Sequence, residues 1–252
     1  MIKIKNEHEL ATMIKGGQIL SAVFEEIKNY IQAGVNAAFL DNLIAKNIRD
    51  WGAQPSFLGF NGYKYSSCIS LNEEVVHGLP HVEKILKIGD ICSVDIGVLY
   101  DGYHVDAART YILEPVSDEI RKLVRVTEEA FHLGAAQVRP GNRFGDIAFA
   151  MQKHVENNGF SMVRDLFSHG IGQSLHEEPL IANFGAKKSG AILKEGMTFA
   201  LEPMVNAGSF EVLTLPDKWT IICADRKLSA HYEDTIYVSR DGAKILTKLE
   251  IK

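Results

Sequence analysis

The chain has 252 residues, a length that suits either one large α/β unit or two halves that share one site. Hydrophobic residues make up 46% of it and charged residues 23%, which is ordinary for a soluble globular protein. The formal net charge of -5 argues against a general nucleic-acid binder, and we expect no DNA partner.

Membrane attachment and secretion are not expected. No apolar run approaches membrane-spanning length, and the opening MIKIKNEHELATMIKGG lacks the apolar core and cleavage site of a signal peptide. We therefore expect a cytoplasmic protein.

The cysteines are odd in number and form no CxxC pair, which disfavours a disulfide framework and a cysteine zinc site. We expect them to be buried small apolar side chains, at Cys68, Cys92 and Cys223.

Four helices are predicted in chain order. Apolar residues at helical spacing predict a long amphipathic helix that starts within the first ten residues and is ended by Gly34. A second helix is predicted over 37–50. The third follows the cap Ser117, with acidic residues in its first turn, and the fourth covers roughly 143–158.

The clearest strand signal is DICSVDIGVLYDGYHVDAARTYIL, in which residues 101–102 are an Asp-Gly pair between two β-rich runs. Such a pair predicts a two-residue hairpin turn. In that register Gly97 pairs with Asp106. Asp95, two residues back on the same strand, is then the diagonal neighbour of Asp106 and points to the same face of the sheet.

A faint internal repeat links the two halves of the chain. The run LKIGDICSVD at 86–95 resembles LKEGMTFALE at 193–202, and each is preceded by a His-x-x-Pro sequence, HGLP or HEEP. A further acid follows each copy, at Asp106 and at Glu233. Chance similarity is the alternative, but the repeated order of histidine, acid, acid favours two related α/β halves about a pseudo-twofold axis.

The repeat is expected to bring four carboxylates to a common location, and His169 adds one imidazole. Carboxylates clustered in a core are costly unless positive charge compensates them, and a pair of divalent cations would do so. Two such ions lower the pKa of a shared water from 15.7 toward about 7, which favours hydrolysis. Oxygen ligands with one nitrogen suit Mn, Fe or Co, with Zn feasible. The candidate ligands are Asp95, Asp106, His169, Glu202 and Glu233.

Two histidines remain outside this ligand set, one from each half. The segment SHGIGQSLHEEP places His176 seven residues after His169, and His77 heads the corresponding HGLP sequence. Free imidazoles beside the bridging oxygen can donate to a carbonyl oxygen and contact the amide nitrogen as the bond breaks. The arrangement therefore suits amide hydrolysis.

Five sequence blocks together resemble a known family. EVVHGLP, SVDIGVLYDGYHVDAART, SHGIGQSLHEEP, GMTFALEPMVNAG and LSAHYEDTI are similar, in the same order, to the signature blocks of the type I methionine aminopeptidases. The resemblance covers almost the whole chain. It implies the α/β (α+β) pita-bread fold, with two pseudo-twofold related halves and a central antiparallel sheet covered by helices. It also implies one catalytic domain over 1–252, without an N-terminal extension or the helical insertion of the type II enzymes.

The implied activity is removal of the initiator methionine from nascent polypeptides whose second residue is small. By motif position Glu202 would shuttle a proton to the leaving amine, His176 would assist at the scissile carbonyl, and His77 would lie near the amide of the second residue. Transient ribosome association and a monomeric state are further expectations. Two divalent metal ions (Co, Mn, Fe, Ni or Zn) would be held by Asp95, Asp106, His169, Glu202 and Glu233.

The resemblance also implies a substrate-binding pocket for the methionine side chain. Aromatic walls suit a thioether, because sulfur packs favourably against ring edges. Three of its members are aromatic residues spaced three apart and could equally be core packing. The expected pocket consists of Phe57, Phe60, Tyr63, Leu175 and Trp219.

Several residues depart from the family pattern. Where the family usually has Gln-Tyr/Phe-Glu-His-Thr, this chain has His-Tyr-Glu-Asp-Thr at 231–235, and Ser168 and Gln173-Ser174 are also unusual. These changes flank ligands, so metal preference and rate are the properties they would alter. They would fit a secondary copy of the enzyme.

The remaining histidines are predicted to lie outside the site, except that His104 could lie at its edge. They are His8, His81, His104, His132, His154 and His231.

The sequence disfavours three rival functions. A proline-specific aminopeptidase or dipeptidase of the same fold usually carries an additional N-terminal domain, whereas here the first helix starts at once. A non-catalytic relative that binds ribosomes or nucleic acid would be expected to lose metal ligands. A type II methionine aminopeptidase needs an inserted helical segment, for which the interval between Glu202 and Glu233 leaves no room.

Overall fold

The computed structural model describes residues 1–248 of the chain. Its helices are α1 Glu7–Ile27, α2 Ala37–Asp50, α3 Asp118–Ala135 and α4 Phe144–Asn157. Its strands are β1 Gln54–Pro55, β2 Ser67–Leu71, β3 Glu74–Val76, β4 Ile91–Tyr100, β5 Tyr103–Ile112, β6 Ser161–Met162, β7 Phe167–Gly170, β8 Glu177–Ala182, β9 Thr198–Leu201, β10 Met204–Asn206, β11 Val212–Thr214, β12 Ile221–Cys223, β13 Ser229–His231, β14 Glu233–Ser239 and β15 Gly242–Ile245.

The helix predictions are confirmed apart from one boundary. The side chain of Ser117 caps α3 by accepting a hydrogen bond from the backbone N–H of Ile120. The predicted end of α1 at Gly34 is wrong, because α1 stops at Ile27 and continues only as a 3-10 turn, Lys28–Tyr30. No residue of that turn is buried, so the apolar face that holds α1 against the core ends at Ile27.

The central sheet has nine strands, and its order confirms two related halves. The strands run β1-β4-β5-β14-β9-β7-β8, with β2 also paired to β4 and β15 to β14. The first half therefore contributes β4 and β5, the second half contributes β9 and β14, and the halves meet where β14 pairs antiparallel with β5. The predicted hairpin register is confirmed, since Gly97 lies opposite Asp106. Two small sheets, β13-β10-β6 and β11-β12-β3, complete the strands of residues 1–248.

Helices from each half cover the sheet and bury separate cores. The first core joins α1 and α2 to β4 and β5, with Phe24 and Leu40 packed in the same cluster as Val105. The second joins α3 and α4 to β9 and β14, with Phe131 packed in the same cluster as Phe199. This is the expected arrangement of helices over a central antiparallel sheet, and it leaves the junction of the halves free for polar side chains.

The expectation for the cysteines is confirmed. Cys68, Cys92 and Cys223 are all buried free thiols, as predicted. Across residues 1–248, the structure contains no helix that is both long enough and apolar enough to cross a membrane.

Gly17 permits close contact between α1 and the segment that follows β15. A side chain there would overlap the backbone carbonyl of Leu246, whose N–H donates to the carbonyl of Thr235 in β14. We predict that Gly17→Ala lowers the free energy of unfolding by about 1–3 kcal/mol, although alanine is the better helix former. Urea unfolding measures this change.

Gly16→Ala is the matched control, because its added carbon would meet side-chain atoms and no backbone, the nearest being a methyl of Val105 at 3.3 Å. We expect a change smaller than that of Gly17→Ala. Equal stability of the two variants would contradict the proposed close contact between α1 and Leu246.

Candidate active site

Four carboxylates, which we call the acid cluster, lie at the junction of the two halves. Asp95 comes from β4 and Asp106 from β5, Glu202 directly follows β9, and Glu233 opens β14. The exposed fraction is only 4% for Asp106 and 2% for Glu233. The neighbouring strand β7 brings His169 into the same region, with its Nε2 atom 3.6 Å from Oε1 of Glu202.

The acid cluster lacks internal compensation for its charge. Burial raises the pKa of Asp95 to about 7. Burial and the neighbouring carboxylates raise the pKa of Asp106 and of Glu233 well above the ordinary values. Among residues 1–248, the Oδ1 atoms of Asp95 and Asp106 are buried without a hydrogen-bond partner. No lysine or arginine of these residues forms an ion pair with the cluster. Such orphaned oxygens fit bound cations.

Side chains of the cluster and its neighbours form two groups with the spacing of metal ligands. Asp106, His169 and Glu233 form one group, and Asp95, His231 and Glu233 form the other. In each group the candidate ligand atoms lie within 4.8 Å of one another. The donor set of carboxylate oxygens and imidazole nitrogens is compatible with divalent Mn, Fe, Co, Ni or Zn.

His231 lies in this site, so the prediction that it lies outside is wrong. Its Nε2 atom is 3.8 Å from Oε2 of Glu202 and 3.7 Å from Oε2 of Glu233, and the residue is 2% exposed. In an extended chain, residues two apart point to the same face. The spacing of His231 and Glu233 could therefore have predicted that both side chains lie in the site. The position depends on β13, which belongs to a small sheet that the sequence patterns did not reveal.

The other histidines predicted to lie outside do not line the cavity. His104 is not part of the cavity lining, and its Nδ1 atom is hydrogen-bonded to Oγ of Ser56 at 2.9 Å. His154 is hydrogen-bonded to Glu129 on the neighbouring helix. The other three are exposed: His8, His81 and His132.

His77 and His176 both line the cavity beside the acid cluster. The ring of His176 lies 4.2 Å from that of His169, centroid to centroid. Burial lowers the pKa of His77 to about 4, so this imidazole is neutral at pH 7 and can donate one hydrogen bond. Its backbone adopts a positive φ of 57°, a costly conformation that is concentrated at functional sites.

One cavity of about 290 Å³ joins the acid cluster to an apolar wall. The ring of Tyr63 lies 4.9 Å from that of Trp219, in an edge-on arrangement. Phe57 and Tyr63 also belong to the first core, so these two side chains both pack in the core and line the cavity. All the residues predicted for the methionine pocket contribute to this wall, together with others that sequence reasoning missed: Phe57, Phe60, Tyr63, Leu175 and Trp219 with Asn61, Cys68, Val76, Leu166, Phe167 and Met204.

The chain is similar to known proteins over almost its whole length. The model of metallopeptidase family M24 matches residues 11–240. Methionine aminopeptidase 1 of Bacillus subtilis is 45% identical over 249 residues, which cover 99% of this chain and 100% of the relative. The chain belongs to the methionine aminopeptidases of family M24.

Solved structures agree with this membership. The crystal structure of methionine aminopeptidase from Thermotoga maritima has a TM-score of 0.97 and 42% identity, covering 98% of this chain and 100% of that one. Prolidase from Pyrococcus furiosus has a TM-score of 0.79 at 23% identity, covering 98% of this chain and 66% of that one. The second likeness shows only a shared fold, which is the pita-bread fold expected from the sequence.

Two residues that depart from the methionine aminopeptidase pattern lie beside members of the acid cluster. Asp234 forms a buried ion pair with Arg109 at 2.7 Å, and Arg109 also donates to the backbone carbonyl of Glu233. The hydroxyl of Ser168 accepts a hydrogen bond from the backbone N–H of Glu202 at 2.9 Å. Both residues therefore act on the orientation of a carboxylate in the acid cluster.

We predict that Asp106→Asn stabilises the metal-free protein. The amide has nearly the same shape but removes one charge from the acid cluster, so its repulsion falls. The melting temperature of the metal-free protein should rise by about 2–4 °C or more, equivalent to roughly 1 kcal/mol at this chain length. Adding Co or Mn should raise the melting temperature of the wild type more than that of the variant.

Asp101→Asn, in the exposed turn of the hairpin, is the control because it removes the same charge elsewhere. A surface change of this kind should shift stability by less than about 0.5 kcal/mol. A less stable metal-free Asp106→Asn protein would contradict the view that the acid cluster is repulsive without cations.

Proposed function

We propose that this protein removes the initiator methionine from nascent polypeptides whose second residue is small, using two divalent metal ions. One observation carries the proposal: an uncompensated acid cluster shares a cavity with an aromatic pocket. Family membership supports the reaction class. The sequence identity to the prolidase structure is lower, at 23%, and that similarity supports only the fold.

The metal ions would be held by the acid cluster and His169. The orphaned Oδ1 atoms of Asp95 and Asp106, and the separation of the candidate ligands into two groups that share Glu233, support a pair of ions. When bound, divalent ions there would acidify a water molecule and polarise the peptide carbonyl. Co, Mn, Fe, Ni and Zn are all candidates.

Glu202 is the proposed proton carrier. In the metal-free protein, burial and the charge of Asp95 raise the pKa of its carboxyl well above the ordinary value. Its backbone is fixed by Ser168, and Asn183 donates to its carbonyl at 3.0 Å. From this position the carboxyl group can deliver the proton to the amine that leaves when the peptide bond breaks.

His176 and His77 are the proposed hydrogen-bond donors to the substrate. His176, packed edge-on against Phe60 with 5.0 Å between ring centroids, would donate to the scissile carbonyl oxygen, where negative charge develops. His77, held neutral by burial, would contact the amide of the second residue. These donors are positioned before substrate arrives, which is what makes such contacts effective.

Phe57, Phe60, Tyr63, Leu175 and Trp219 form the proposed methionine pocket. The hydroxyl of Tyr63 is satisfied by donating to the carbonyl of Ser67 at 2.9 Å, so it leaves an apolar ring face for the substrate. The pocket therefore recognises shape and the polarisable sulfur rather than a hydrogen bond. A formyl group would block the free amine, and we expect deformylation to come first.

The remaining attributes are proposed together. We propose one catalytic domain over 1–252, with nascent-chain N-termini as the partners and transient contact with ribosomes. A monomeric state and a cytoplasmic location complete the proposal.

We predict metal-dependent release of methionine from Met-Ala-Ser. The metal-free protein should be inactive until Co or Mn is added. Glu202→Gln should lower kcat by about 10²–10⁴-fold through loss of proton transfer. His176→Ala should lower it by about 10²–10³-fold through loss of a donor to the developing oxyanion.

His8→Ala, which changes an exposed histidine at the start of α1, is the control and should leave the rate unchanged. Ala-Pro is the competing substrate. Cleavage of Ala-Pro without methionine release would assign the protein to the proline-specific branch, and absence of both activities with metal bound would favour a binding role.

The pocket generates a further prediction. Norleucine replaces the sulfur of methionine with a methylene of similar shape, and a hydrophobic pocket rejects such analogues weakly. We expect kcat/KM for Nle-Ala-Ser to lie within about tenfold of that for Met-Ala-Ser. Lys-Ala-Ser is the control and should not be cleaved. Rejection of norleucine as strong as that of lysine would show that recognition depends on the sulfur itself.

A further inference from the structure

We propose that His231 is a metal ligand, so that each of the two ions has an imidazole nitrogen of its own. This inference rests on the proposed metal pair. The position is one where the resembled family usually has glutamine, so the additional nitrogen would be a property of this chain.

The grouping of ligand atoms supports this assignment. Glu233 is common to both candidate groups, and each group adds one aspartate and one histidine. His169 accompanies Asp106, and His231 accompanies Asp95. Without His231, the second group would offer carboxylate oxygens alone. With it, the two groups have matching donor types across the junction of the halves.

The surroundings of Nε2 point in the same direction. This atom is buried and has no hydrogen-bond partner among residues 1–248. Its separations of 3.8 Å from Glu202 and 3.7 Å from Glu233 exceed hydrogen-bond length. Two ligands each about 2.1 Å from one ion can lie up to about 4.2 Å apart, so these separations fit a shared ion.

The hydroxyl of Thr110 holds the backbone of His231 through two hydrogen bonds. Its N–H donates to Oγ1 of Thr110 at 3.0 Å, and its carbonyl accepts a hydrogen bond from the same hydroxyl at 2.8 Å. In the register of β13 with β10, His231 lies opposite Met204, two residues after Glu202. His231 therefore lies in a strand pair whose strands are close in sequence to two members of the acid cluster, β10 to Glu202 and β13 to Glu233.

Among residues 1–248, no lysine or arginine side chain occupies the place that a metal ion would take beside Nε2 of His231. Arg109, on β5, directs its guanidinium to Asp234 and to the backbone carbonyls of Ala108 and Glu233. The acid cluster around Nε2 is thus left without a positive partner from residues 1–248. A divalent ion would satisfy the orphaned nitrogen and the carboxylates together.

An imidazole would change which metals this position prefers. An all-oxygen set suits Mg and Mn, whereas imidazole suits Zn, Ni and Fe. We expect His231→Gln to weaken binding of one Co ion by at least about tenfold, and to leave the other within about twofold. The relative affinity of the weakened site for Mn over Co should rise.

The test is titration of the metal-free wild type and of His231→Gln with Co, followed by calorimetry and X-ray absorption. Calorimetry gives the two affinities. Absorption at the Co edge gives the number of imidazoles, which should fall from one per ion to one for every two ions. His8→Gln is the matched control and should behave as the wild type. Methionine release is measured on the same samples.

Unchanged affinities together with an unchanged imidazole signal would overturn the inference, and would leave a water molecule as the partner of Nε2. If the variant does not fold, the wild-type imidazole count still decides: one imidazole for every two ions would exclude His231 as a ligand. Failure of the wild type to bind two ions or to release methionine would instead contradict the proposed function.

Discussion

Mutual repulsion within the acid cluster is the constraint on which the rest of the structure depends. Asp95, Asp106, Glu202 and Glu233 are brought together at the junction of two halves. Burial raises the pKa of each carboxyl, and neighbouring carboxylates raise it further for Asp106, Glu202 and Glu233. A protein tolerates such an arrangement only when stability comes from elsewhere or when cations bind. Here each half supplies its own apolar core, on the helix-covered side of the sheet.

Hydrogen bonds across the junction of the halves turn this repulsive cluster into a defined site. Thr235 in β14 exchanges hydrogen bonds with the backbone N–H and carbonyl of Asp106 in β5. Arg109 and Asp234 form a buried pair one residue beyond Glu233, and Thr247 donates to the same aspartate at 2.7 Å. None of these contacts involves a carboxylate oxygen of the acid cluster, so they hold the surrounding strands in place without neutralising the charge of the cluster. The charge is left for the metal ions.

Local patterns predicted most of this arrangement, and the remainder depends on contacts distant in sequence. The hairpin turn at 101–102 set the register of Asp106 by counting alone, and capping at Ser117 located α3. The end of α1 was misplaced because burial of its face, which no local pattern reports, stops at Ile27. His231 was missed because a small sheet, formed with strands far along the chain, turns it toward Glu233.

The most direct test of the account is to count metal ions in the active protein. Native mass spectrometry of the metal-free chain, titrated with Co or Mn while methionine release is followed, reports stoichiometry and activity together. The account predicts up to two ions per chain and release that appears only as they bind. Full release by protein that carries no ion would contradict it, because the acid cluster would then have a role other than holding metal.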